Sequence, residues 1–215
     1  MGLSLNVYML ADLLIRDKEG AEWLRKSFRA VNAHLEKEGQ PAHEEPKTPG
    51  EFKPRKHVSS FPYSYLHHLR RYYAHVRETE KPPRPLARGK DPAEDPLVFD
   101  LTSMLDSHLL CHSDSEGFYV PVEFADPIFQ DDGLPPLPGE MLGSSQGLLQ
   151  ELRLLAPHLG VKLDKNGALP DAEALKLYTA GNDSKDSFAI EKLVWLALFE
   201  NARVSVEAET ALCFS

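Results

Sequence analysis

The chain has 215 residues, 42% hydrophobic and 9% aromatic, with a net charge of −9. That is enough for one substantial core, and no apolar run approaches the ~18 residues of a membrane span, so no membrane association is expected. Two cysteines are too few for a disulfide scaffold, and the N-terminus lacks both a basic signal region and the Ser or Thr that myristoylation needs at position 6, so a cytoplasmic protein is expected.

In chain order, "LSLNVYML" over 3–10 reads as a first strand running into "ADLLIRD". Leu24, Phe28, Val31 and Leu35 then fall on one helical face, and Gly39 ends that helix. The proline-rich stretch 40–60 reads as an extended, exposed loop. A second helix over 62–78 starts at Pro62, with Tyr65, Leu66, Leu69, Tyr72, Tyr73 and Val76 as its apolar stripe. His67, Arg71 and His75 line its other side. The prolines of 79–97 forbid regular structure and make a second loop, and 125–140 makes a third.

"GSSQGLLQELRLLAPHLG" predicts a helix with Ser144 or Ser145 as N-cap and Gly160 as stop. "LPDAEALKLYTAG" predicts a shorter one that ends at Gly181. "SKDSFAIEKLVWLALFENARVS" predicts the longest helix, apolar nearly all round and therefore central, and "ETALCFS" predicts a last strand. The pattern as a whole predicts a single α+β domain over 1–215, in which helices pack on a small, mainly antiparallel sheet. That sheet is expected to hold the 118–124 strand, its hairpin mate and the C-terminal strand.

The stretch "DSHLLCHSDSEGFYVPVEF", 106–124, is the densest in chemistry-bearing residues. As a hairpin it turns at Gly117, and His108 and His112 lie about 13 Å apart at ~3.3 Å per residue, too far to share a metal. As a helix over about 101–112 it places the two histidines one turn apart, a spacing zinc ligands use. HxxxH without the glutamate of HExxH and without a third ligand is a weak signal, so no metal is expected. Cys111 beside His112 suggests a thiol nucleophile or, more simply, a small buried side chain. The backbone amides of "GSSQG" suggest an anion site or an ordinary N-cap. No Walker loop, GxGxxG or GxSxG is present, and no cofactor is expected.

Charge is unevenly spread. Residues 51–90 carry ten basic and three acidic residues, whereas 91–215 carry seven basic and 22 acidic ones. Either the basic segment lies against acids of the same chain, or the acids form a surface for a cationic partner. Tyrosines beside the basic residues of 62–78 could stack on single-stranded nucleic acid, but they sit on the apolar stripe, and the acidic remainder repels a polyanion.

"FPYSYLHHLRRYYAHV", "HLLCHSDSEGFYVPVEF", "MLGSSQGLLQELRLLAPHLG" and "IEKLVWLALFENARVSVE" resemble an uncharacterised group of small soluble bacterial proteins, similar in character to immunity proteins. The resemblance implies no activity and no catalytic residue. Two functions are therefore expected to compete. The favoured one is an immunity- or antitoxin-like inhibitor whose acidic loops, with Asp114, Glu116, Glu123, Asp126, Asp131 and Asp132, dock on the basic surface of a toxin-like enzyme, with no direct part for nucleic acid. The alternative is a hydrolase, with or without a metal, that uses His108, Cys111, His112 and nearby acids.

Overall fold

The computed structural model describes residues 2–56, 58, 60–87, 89–183 and 185–215. Strands β1 (Gly2–Asn6), β2 (Ser60–Pro62), β3 (Gly117–Val120), β4 (Ile128–Phe129), β5 (Met141–Ser144) and β6 (Leu212–Phe214) form one sheet in the order β2-β1-β6-β3-β5-β4. Only β3 and β5 run parallel; the other four pairings are antiparallel. Eight helices cover the sheet: α1 (Met9–Arg16), α2 (Lys18–Lys37), α3 (Tyr63–Thr79), α4 (Pro96–Thr102), α5 (His108–Cys111), α6 (Ser145–Leu155), α7 (Asp171–Gly181) and α8 (Ala189–Ala208). This is the expected α+β architecture.

Strand alternation explains why the sheet has helices on both faces. Tyr119, Leu212 and Phe214 point into a core shared with α3, α6, α7 and α8. Phe118, Val120 and Cys213 point the other way, against Leu24, Phe28, Val31 and Leu35 of α2. In α8, Val194 to Ala202 is buried without a break, as its all-round apolar pattern requires. The expected start of that helix at Ser184 falls outside the described residues; the helix begins at Ala189.

Several local expectations need correction. The first strand stops at Asn6, because Tyr8 takes a left-handed conformation (φ 59°) and turns the chain into α1. The loop after α2 is mostly exposed, as expected, but it is tied to the fold. The Glu45 carboxylate accepts from the Thr210 hydroxyl at 2.6 Å and from Ala211 N–H at 2.7 Å. Arg55 grips the buried Glu200 of α8 through its Nε at 3.1 Å and its terminal nitrogen at 2.9 Å. The loop is thus held at two points across the fold.

The stretch 101–117 is neither a hairpin nor one helix. α4 ends at Thr102, and Leu105 adopts a left-handed φ of 58°, which no continuous helix accommodates. A single turn, α5, follows; the Ser107 hydroxyl and the Glu151 carboxylate cap it, accepting from Leu110 N–H at 3.1 Å, His108 N–H at 3.0 Å and Leu109 N–H at 2.7 Å. Gly117 does take a positive φ, 117°, and opens β3. The mates of β3 are β6 and the parallel β5, in place of a hairpin partner.

Candidate partner-binding surface

Arg70 of α3 organises the 106–117 stretch. Its side chain is buried, and it donates from Nε to the Leu109 carbonyl at 2.9 Å and from its terminal nitrogens to the His112 carbonyl and to Asp114. His67 pairs with the same carboxylate at 3.0 Å. Burial alone would raise the Asp114 pKa, but the His67 and Arg70 contacts outweigh it and hold the group down at about 2. Asp114 is therefore part of an internal ion pair.

The two histidines do not converge. His108 accepts the Ser144 N–H at Nδ1, 3.2 Å away. The His112 ring stacks on Tyr119 at 4.2 Å and 10°, with Phe214 on its flank. Both Nε2 atoms are buried without a hydrogen-bond partner. Among the described residues, no group of three or more His, Cys, Asp or Glu is placed to hold a metal ion. Burial raises the Cys111 thiol pKa, the opposite of what activates a nucleophile. The geometry that the hydrolase reading requires is not formed.

Burial, aided by the nearby Arg70 cation, lowers the His112 pKa to about 4. A folded-state pKa below the ordinary histidine value means that this group's contribution to stability is complete above about pH 6.5. It is lost as pH falls from there toward 4, by roughly 3 kcal/mol in all. Glu151 acts in the opposite sense: burial raises its carboxyl to about 7, so it favours the fold as pH falls through that value. The stability–pH profiles of the parent and His112→Phe are therefore expected to separate between pH 6.5 and 4, with the parent falling more steeply. Parallel profiles in chemical denaturation would contradict this.

The other acids named from the sequence divide into three sets. Asp131 is paired with Lys37. Glu116 lines a separate apolar cleft with Trp23 and Pro135–Pro138. Glu123, Asp126 and Asp132 are exposed, and no ion pair engages them among the described residues.

Glu123, Asp126 and Asp131 lie along one groove made of three connected sections. At one end, Glu123 faces Glu44 and Glu209. The middle contains Glu123, Phe124, Ala125, Gln40, His108, Gly147, Gln150 and Glu151. At the other end, Phe124 and Ala125 continue to Asp126 and Asp131, opposite Glu38 and Lys37. Six carboxylates, those of Glu38, Glu44, Glu123, Asp126, Asp131 and Glu209, thus rim a groove that contains one lysine. Glu38 follows α2, Glu44 lies on the loop held by Glu45, and Glu209 caps α8. Sequence reasoning missed these three, and no local signal marks them.

Much of the chain's basic excess is used elsewhere. Arg55 pairs with Asp171 and Glu200, Arg70 with Asp114, Arg71 with Asp95, and Arg77 with Asp106. Arg88 of the same segment lies outside the described residues. The basic segment does lie against acids of its own chain, and among the described residues the groove acids other than Asp131 are left without an ion pair. Among the described residues, no helix is long and apolar enough to cross a membrane.

No curated protein and no solved structure matches the chain. A family comparison does, and it corrects the expected partner: its description points to a DNA-binding protein in place of a toxin-like enzyme, and to DNA as the molecule whose chemistry matters, against the expectation that nucleic acid plays no direct part. The family model matches residues 1–214, and the chain belongs to the family described as "Putative DNA-mimic protein".

Proposed function

We propose that the protein is a DNA mimic that inhibits a DNA-binding protein by occupying its DNA-binding surface with the acidic groove. The observation that carries this reading is the set of six carboxylates along one groove, five of them without an ion pair among the described residues, while the arginines of the basic segment are bound to other acids. Duplex DNA presents one negative charge per roughly 1.7 Å of axis, and proteins that bind it carry Lys and Arg arranged to meet that array. A fixed line of carboxylates offers the same cations a competing array with no base sequence. This reading implies that the protein works in the cytoplasm, beside such a partner.

Association is then steered by long-range attraction. Against a purified DNA-binding protein of the same genome, surface-plasmon kinetics are expected to show an on-rate that falls steeply between 0.1 and 1 M salt, where the Debye length shrinks from roughly 10 to 3 Å. The variant Glu123→Gln/Asp126→Asn/Glu209→Gln is expected to associate at least about tenfold more slowly at low salt and to lose most of the salt dependence. An on-rate indifferent to salt and to the three substitutions would remove the basis for the reading.

A further inference from the structure

The middle of the groove differs from its ends. There three neutral hydrogen-bonding side chains, Gln40, Gln150 and the buried imidazole of His108, line the groove beside the carboxylates of Glu123 and Glu151. Gln130, by comparison, is used internally, donating to the Asp131 carbonyl and accepting from Leu137 N–H. Among the described residues, no such bond engages the carboxamides of Gln40 and Gln150, and Gln150 is exposed.

His108 is the more telling group. Only 2% of it is exposed, it lines this section, and its Nε2 has no partner. Because Nδ1 accepts the Ser144 N–H, the proton of the neutral ring sits on Nε2, which makes that atom a donor. The Phe124 and Ala125 carbonyls face the ring without completing a hydrogen bond to it. Gly147 lets the ring reach this position: a Cβ there would lie 2.1 Å from the imidazole Cδ2 and 2.3 Å from Nε2. A buried donor left unmet is costly, so an acceptor brought by a partner would gain more here than at the surface.

Negative rims with a floor of mixed donors and acceptors are also the plan of a DNA groove, where phosphates flank base edges. Adenine shows an acceptor and a donor side by side in the major groove, and Asn or Gln side chains read that pair bidentately. We propose that the groove imitates base edges as well as phosphates, and that the partner it fits is a base-reading protein that inserts a recognition element, in contrast to one that grips phosphates alone. This rests on the DNA-mimic reading above and adds the class of partner. The rim carboxylates position the inserted element, as phosphate contacts do on DNA, and Gln40, Gln150 and His108 meet its carboxamide side chains.

The test uses two purified probes: a helix-turn-helix repressor domain, which reads bases, and a histone-like protein, which holds DNA without base-specific contacts. Affinities are measured for the full-length parent, for Gln40→Met/Gln150→Met, for His108→Phe and for the three-acid variant. The two glutamine substitutions keep size and charge and lie at the groove surface, so they remain informative if His108→Phe fails to fold. The repressor domain is expected to bind the glutamine variant about tenfold more weakly than the parent, and the histone-like protein to bind both alike. A repressor domain that does not distinguish the two, an equal loss for both probes, or a parent that binds neither probe overturns the inference. If the three-acid variant also binds both probes as the parent does, the DNA-mimic reading fails with it. If only the glutamine variant is without effect, that reading stands and the base-edge inference falls.

Discussion

Arg70→Ala is expected to lower the free energy of unfolding by about 3–5 kcal/mol, the range for removing one partner of a buried charge pair. The guanidinium is buried and meets three acceptors, on Leu109, His112 and Asp114. Its loss leaves two carbonyls without that donor and a partly buried carboxylate with His67 alone. The short turn α5, the positive-φ residue Leu105 and the exposed residues 103–105 supply little order of their own. Arg70→Lys is expected to recover only a minor part, because an ammonium cannot present a fork to three acceptors in fixed directions. A denaturation midpoint for Arg70→Ala that corresponds to less than about 1 kcal/mol would show that 106–117 is held by packing instead.

Trp195→Ala is expected to cost about 3–5 kcal/mol, the range for an emptied Trp site in a core. Trp195 is fully buried, stacks on Phe199 at 4.6 Å, and donates from its indole nitrogen to the Leu152 carbonyl at 2.8 Å. That bond joins α8 to the carbonyl side of α6, so the substitution removes volume and also one of the two bonds that the Leu152 carbonyl accepts, the other coming from Ala156 N–H at 3.2 Å. Trp195→Phe separates the two effects and is expected to cost less, with about 1 kcal/mol of it from the lost bond. Leu198→Ala, at an equally buried position, is expected in the 2–5 kcal/mol range. Midpoints that barely move for Trp195→Ala would mean that α8 is not the centre of the core.

The helices were legible because their signals are local. The 3.6-residue stripe of α2, the cap at Ser144 and the all-round apolar α8 are each written within about twenty residues, although α6 ends at Leu155, short of the expected stop at Gly160. The 101–117 segment was not legible, because its conformation is decided by Arg70 some forty residues away. The periodicity of Met104, Leu105 and His108 therefore pointed to a helix that the left-handed Leu105 interrupts. The short strands β4 and β5 were hidden for a related reason. Two to four residues bounded by prolines carry no period, and their pairing with β3 is a tertiary fact.

The proposed binding surface was half legible. An acidic excess and the residues Glu123, Asp126 and Asp131 could be read from composition and loops. That Asp114 belongs to Arg70, and that Glu38, Glu44 and Glu209 join the groove, depends on three chain segments meeting in space. The identity of the partner was misjudged, because an acidic surface fits a basic toxin and a DNA-binding protein equally well on charge alone.

Mutual exclusion with DNA is the most direct test of the central claim. A helix-turn-helix repressor domain is bound to a fluorescently labelled operator duplex, and the protein is titrated in while anisotropy is followed. If the groove occupies the DNA-binding surface, anisotropy falls to that of free duplex, further repressor domain reverses the effect, and Glu123→Gln/Asp126→Asn/Glu209→Gln requires at least about tenfold more protein for the same displacement. Anisotropy that rises on addition, through a ternary complex in which repressor holds duplex and protein together, would contradict the account.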